Sequence, residues 1–133
     1  MKRIVIMVLL LALLLCGCGE GGGTVSYHIG HSEQFTRTDI RAAMDVVVSY
    51  CRWERVPFTL LSLTYEDDEF YVRMAQREAE YYGEDEAIVI LADIHTDPDM
   101  MGSLDPDQTY KNYRWILTRT GMERWEIRNA GFA

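Results

Sequence analysis

Twelve consecutive residues, Ile4 to Leu15, contain only isoleucine, valine, methionine, leucine and alanine. As a helix this run measures about 18 Å, at about 1.5 Å per residue. The hydrocarbon core of a bilayer is about 30 Å thick, so the run is too short to span a membrane and stay there. Lys2 and Arg3 precede it, and small residues follow at Cys16 and Gly17. A short positive start, a short apolar run and a small-residue boundary predict a secretory signal peptide over residues 1–17. The part of the chain that folds then lies downstream and works outside the cytoplasm.

Leu15-Cys16-Gly17-Cys18 resembles the lipobox of bacterial lipoproteins, with an aliphatic residue, a small residue, a glycine and then the lipidated cysteine. Cys16 departs slightly from the usual residue at its position. The resemblance implies a diacylglycerol thioether on Cys18 and a membrane partner reached through that lipid. Two or more acyl chains, at about 0.8 kcal/mol per buried methylene, anchor stably where one would not. The anchored chain would face outward, on the extracellular or periplasmic side. Gly19 after the anchor differs from the aspartate that retains some lipoproteins in the inner membrane of two-membrane bacteria. Gly19-Glu20-Gly21-Gly22-Gly23 follows, and glycine-rich sequence is flexible, so residues 18–24 are expected to serve as a tether.

Loss of Lys2 and Arg3 leaves 11 basic against 21 acidic residues, a net charge of −10. Such a surface is repelled by nucleic acid, which excludes a nucleic-acid partner. Cys16 leaves with the signal and Cys18 is alkylated, so Cys51 is the one remaining thiol and no internal disulfide forms. Cys51 lies on the apolar stripe of an expected helix, where cysteine behaves as a small hydrophobe.

Residues 25–133 suffice for a single domain with its own core. Residues 25–35 look like an irregular lead-in. Thr36 and Asp39 form a capping-box pair, and Phe35 with Ile40 a hydrophobic staple. Ile40, Ala43, Met44, Val47 and Cys51 then recur at helical spacing. Pro57 stops the helix. Phe58 to Tyr65 reads as a strand, with Leu61, Leu63 and Tyr65 on one face and Phe58 and Leu60 on the other. Asp67 or Asp68 caps a second helix with a stripe of Tyr71, Met74, Ala75, Ala79 and Tyr82, closed by Gly83.

Ala87 to His95 is apolar on both faces as far as Ala92, the pattern of a strand covered on both sides, and turns polar on one face from Asp93. Tyr110 to Thr118 and Glu123 to Asn129 complete the set, with Trp115, Leu117, Trp125 and Ile127 inward. The expected fold is α+β: two helices on the drier face of a mainly antiparallel, curved, four-stranded sheet, in the order α-β-α-β-β-β.

The segments Trp115-Ile116-Leu117-Thr118-Arg119, Trp125-Glu126-Ile127, Asp85 to Leu91 and Gly102-Ser103-Leu104-Asp105-Pro106 resemble small uncharacterised lipoproteins of Firmicutes, over most of residues 36–132. The order of elements is also similar to the nuclear-transport-factor-2-like (cystatin-like) cone. That resemblance implies a curved sheet around a helix and a cavity, and no chemistry, because such folds carry both enzymes and binding modules.

Asp93, His95 and Asp97 alternate along a strand end, so their side chains share a face and can converge on one ion. Asp99, Asp105 and Asp107 follow in an oxygen-rich loop of the kind that suits calcium, although the spacing is not that of an EF-hand. His28 and His31 have no companion at zinc-like spacing. Ser62 and Ser103 lie in no nucleophile-elbow context. Tyr110, Tyr113, Trp115, Tyr81 and Tyr82 are expected to be core more than groove lining. No catalytic constellation and no cofactor motif stands out. The sequence points to a non-enzymatic, membrane-anchored module that binds an envelope protein, a peptide or a small ligand. The alternatives are a small cone-fold enzyme using Asp93, His95 and Asp97 in a cavity, and a calcium-binding structural module.

Overall fold

The computed structural model describes residues 24–132, so the expected signal peptide, Cys18 and nearly all of the expected tether lie outside the described residues. Seven elements follow in order: β1 (Ser26–Ile29), α1 (Arg37–Trp53), β2 (Phe58–Tyr65), α2 (Glu69–Tyr82), β3 (Glu86–Thr96), β4 (Thr109–Arg119) and β5 (Glu126–Gly131). The strands form one open mixed sheet in the order β1-β2-β3-β4-β5. β1 runs parallel to β2, and the other pairings are antiparallel.

The α+β class stands, but the four-stranded antiparallel sheet does not. The lead-in contains a fifth strand, β1. Val25, Tyr27 and Ile29 alternate inward against the core, and Ser26 aligns with Ser62 in parallel register. Parallel neighbours need a crossover, and α1 supplies it. The two helices lie on opposite faces rather than together. Ile88, Ile90, Ala92 and Ile94 of β3 pack with Ile40, Ala43, Met44 and Val47 of α1. Ala87, Val89 and Leu91 pack with Ala75 and Ala79 of α2. Side chains alternate across a strand, so these sets occupy the two sides of the sheet. The uniformly apolar start of β3 is what two-sided covering requires.

Helix starts follow the sequence closely. Thr36 Oγ1 accepts from the Asp39 amide at 3.1 Å, while Asp39 accepts from the Thr36 amide at 3.4 Å. Asp68 caps α2, accepting from the Phe70 amide at 2.8 Å. Gly83 ends that helix at φ +66°, a left-handed conformation that suits glycine.

β2 departs from simple alternation. Its register with β3 shifts between Leu60 and Ser62. This bulge puts Phe58, Leu60, Leu63 and Tyr65 all toward the α1 side and leaves Leu61 exposed. The expected sharing of a face by Leu61 and Leu63 is therefore corrected, because the extra residue inverts every side chain beyond it. The last strand begins at Glu126 rather than Glu123, and Trp125 is buried just before it.

One ionic tie joins distant parts of the chain. Arg119, 9% exposed, donates from Nε to Glu86 at 2.7 Å and from Nη1 to Asp39 at 3.1 Å. Its guanidinium also lies 4.2 Å from the Trp125 ring centroid, and Trp125 Nε1 donates to the Asp39 carbonyl at 3.1 Å. The start of α1, the start of β3 and the β4–β5 turn are thereby held together.

Candidate functional site

The polar end of β3 is where the sequence placed its best candidate. His95 donates or accepts through both ring nitrogens: Nδ1 is 2.8 Å from Thr109 Oγ1 and Nε2 is 3.0 Å from Asp107 Oδ1. Its partners are thus Thr109 and Asp107, not Asp93 or Asp97. Asp107 holds a left-handed backbone at φ +53°, a conformation aspartate tolerates better than most residues. The histidine fastens the far end of the 97–108 loop to the strand that enters it.

Asp93 has a different task. The register of β3 with β4 shifts between Ala92 and Ile94, and Asn112 on β4 adopts φ +59° there. Asp93 Oδ1 accepts the Asn112 amide at 3.4 Å, the donor that the irregular ladder leaves over. Asp97 contributes backbone only: its amide donates to the Pro57 carbonyl, and its carbonyl accepts from Met100 and Asp107. Among the described residues, no three His, Cys, Asp or Glu side chains are grouped to hold a metal ion. The three residues named from the sequence therefore act separately: His95 and Asp97 hold the 97–108 loop, and Asp93 closes the irregular pairing of β3 with β4.

Sequence reading overlooked Thr96 at the same place. Its side chain is fully buried, donates to the Asp105 carbonyl at 2.6 Å and accepts from the Gln108 amide at 2.9 Å. The only sequence signal was a hydroxyl at the position where an apolar face should have continued. His28 and His31 are exposed and lie on β1 and just beyond it. Cys51 is half-buried against the core, and burial pushes its thiol up to about 12. Such a thiol holds its proton at neutral pH and makes a poor nucleophile.

The aromatics divide. Trp115 is buried, with Tyr50, Phe58 and Tyr113 rings around it, and among the described residues its Nε1 has no partner. Tyr81, by contrast, is 80% exposed. It borders a groove of about 510 Å³ between α2 and the β4–β5 edge, lined also by Met74, Arg77, Glu78, Arg114, Ile116 and Phe132. The groove exists because α2 packs on β3 and β4 and stops short of β5. Its floor is low where Ala130 and Gly131 stand beside Trp115 and Arg114. A larger hollow follows the outer face of α2 alone, from Glu69 to Glu80, and has no second wall.

Arg114 is the more buried of the two arginines that line the groove. It is half-buried, and among the described residues no carboxylate lies within ion-pair distance. Its side-chain hydrogen bond goes to the Met74 sulfur at 3.3 Å, a weak acceptor. Five guanidinium donors facing one thioether leave capacity for an anionic or carbonyl-bearing partner. No family model, curated protein or solved structure matches this chain.

Proposed function

We propose that this chain is a membrane-anchored, outward-facing lipoprotein whose folded part is a non-enzymatic binding module. The anchor reading rests on residues 1–24: a signal over 1–17, lipid on Cys18 and a glycine-rich tether. Kinship with small Firmicutes lipoproteins belongs to the same proposal. The binding reading is carried by one observation: Arg114, with no carboxylate in ion-pair distance among the described residues, stands beneath an open groove whose walls are mixed apolar and polar and include Glu78. Binding sites commonly combine apolar walls with a few placed polar groups. In support, the side chains of His95, Asp93 and Thr96 are engaged in holding a loop and its strand. The ligand we infer presents a carboxylate to Arg114 and an apolar portion to Met74, Tyr81 and Phe132.

The test is photocrosslinking in intact host cells, with the reactive group at Asn129 on the groove wall. A discrete adduct that disappears when Arg114→Met is added supports the proposal. A diffuse smear, or an adduct indifferent to Arg114, refutes it.

A further inference from the structure

The chain between Cys18 and Val25 comprises seven residue steps. At no more than about 3.6 Å per step, it reaches about 25 Å. If Cys18 is lipidated, the end of the domain where β1 begins is held within that distance of the bilayer. This inference rests on the lipid-anchor reading.

The structure shows what stands at that end. Arg37 of α1 donates to the Ile29 carbonyl at 3.2 Å, at the far end of β1. Tyr27, two residues earlier, donates to Asp45 at 3.1 Å and lies under the Arg41 guanidinium. Moving back along β1 therefore moves forward along α1. Two strand residues advance about 6.6 Å, and four to five helix residues cover the same distance. Val25 thus comes level with the last turns of α1, where the helix ends at Trp53. Trp53 is 84% exposed.

The same end carries the start of β2 and the loop after β3. Phe58 aligns with Thr96, and the Asp97 amide donates to the Pro57 carbonyl. That loop presents Met101, 91% exposed. At the opposite end of the sheet lie the acidic turns Glu66–Glu69 and Glu84–Glu86. Trp53 and Met101 thus stand exposed at the end where the tether enters, while the opposite end presents Met122 and Phe70 among its carboxylates.

We propose that Trp53, with Met101 at the same end of the domain, is seated in the headgroup region of the bilayer that holds the lipid anchor. Tryptophan favours this interface because its ring is apolar and its N–H finds a polar partner. Arg52 and Glu54 flank it and Arg55 follows, and the arginine stems can lie along the interface with the charge in water. The 97–108 loop carries Asp97, Asp99, Asp105 and Asp107, so the attraction is apolar rather than a basic patch meeting anionic lipid. Contact should be no stronger on anionic than on zwitterionic bilayers.

The test uses the full acylated protein in phosphatidylcholine vesicles with brominated acyl chains, which quench nearby tryptophan. The chain has three tryptophans, and Trp115 and Trp125 are each only 2% exposed, so quenching reports Trp53. Wild type should lose about a third of its emission, the share of one interfacial tryptophan in three. Trp53→Phe should abolish that loss, and Met101→Asp should reduce it. Unquenched emission from protein whose acylation is verified by mass overturns this inference and leaves the anchor reading intact. A Trp53 shielded from acrylamide but untouched by bromolipid would also overturn it, showing a protein partner at that surface. Absence of the lipid itself would overturn the anchor reading.

Discussion

Replacing Arg119 by methionine tests how the start of α1, the start of β3 and the β4–β5 turn are tied. Methionine keeps an aliphatic stem over Trp125 but removes both ion pairs and the cation–π contact. Breaking a buried pair costs about 3–5 kcal/mol when the surviving charge stays buried. Here the surviving carboxylates, Asp39 and Glu86, are 27% and 30% exposed and partly rehydrate, so we expect a value near the low end. The lost contact with Trp125 adds about 1 kcal/mol. The sum is about 4 kcal/mol, which for a domain of this size lowers Tm by roughly 16–24 °C.

The pH dependence gives a second readout. The Arg119 guanidinium, chiefly, holds the Asp39 carboxyl below its ordinary value of 3.8, assisted by the Thr36 cap. A depressed carboxyl stabilises the fold above its ordinary value, and that stability is lost as pH falls through the lowered one. The gap between wild type and Arg119→Met should therefore be full at neutral pH and narrow below about pH 4. Urea unfolding across this range is the assay. A variant within about 0.5 kcal/mol of wild type at pH 7, or a gap that does not change with acid, refutes the reasoning.

Three further outcomes follow from particular contacts. Thr96→Val removes the buried hydroxyl beneath the 97–108 loop and should cost about 1–3 kcal/mol, with faster amide exchange at Gln108. His95→Ala breaks bonds that are partly solvent-exposed and should cost about 1 kcal/mol or less, while leaving crosslinking at the groove unchanged. Iodoacetamide should label Cys51 slowly at pH 8 in the native protein and readily in urea, because burial keeps the folded thiol protonated until about pH 12.

Local signals in the sequence carried much of this fold. Thr36 with Asp39, Asp68 and Gly83 marked helix ends through their own backbone chemistry, which depends on near neighbours alone. The apolar run of β3 announced a strand covered on both sides. β1 was hidden because it is only four residues long, its alternation is brief, and its partner lies beyond a whole helix. The bulge at Leu61 could not be read, since alternation says nothing of an inserted residue until the pairing is known. Asp93, His95 and Asp97 share a spacing but not a task, and the true partner of His95 is twelve residues away across a loop. Arg114 and Arg119 looked alike as charges at the ends of an apolar segment. Only the fold shows that one meets two carboxylates and the other meets none.

The account depends most on how the molecule is held at the membrane. Intact and peptide mass spectrometry of protein isolated from its native host decides this directly. We predict that residues 1–17 are missing and that the first residue, Cys18, carries a mass consistent with diacylglycerol, with Cys18→Ser abolishing both changes. An unmodified chain that still begins at Met1 would contradict the anchor, the proposed seating of Trp53 and the cellular setting of the groove.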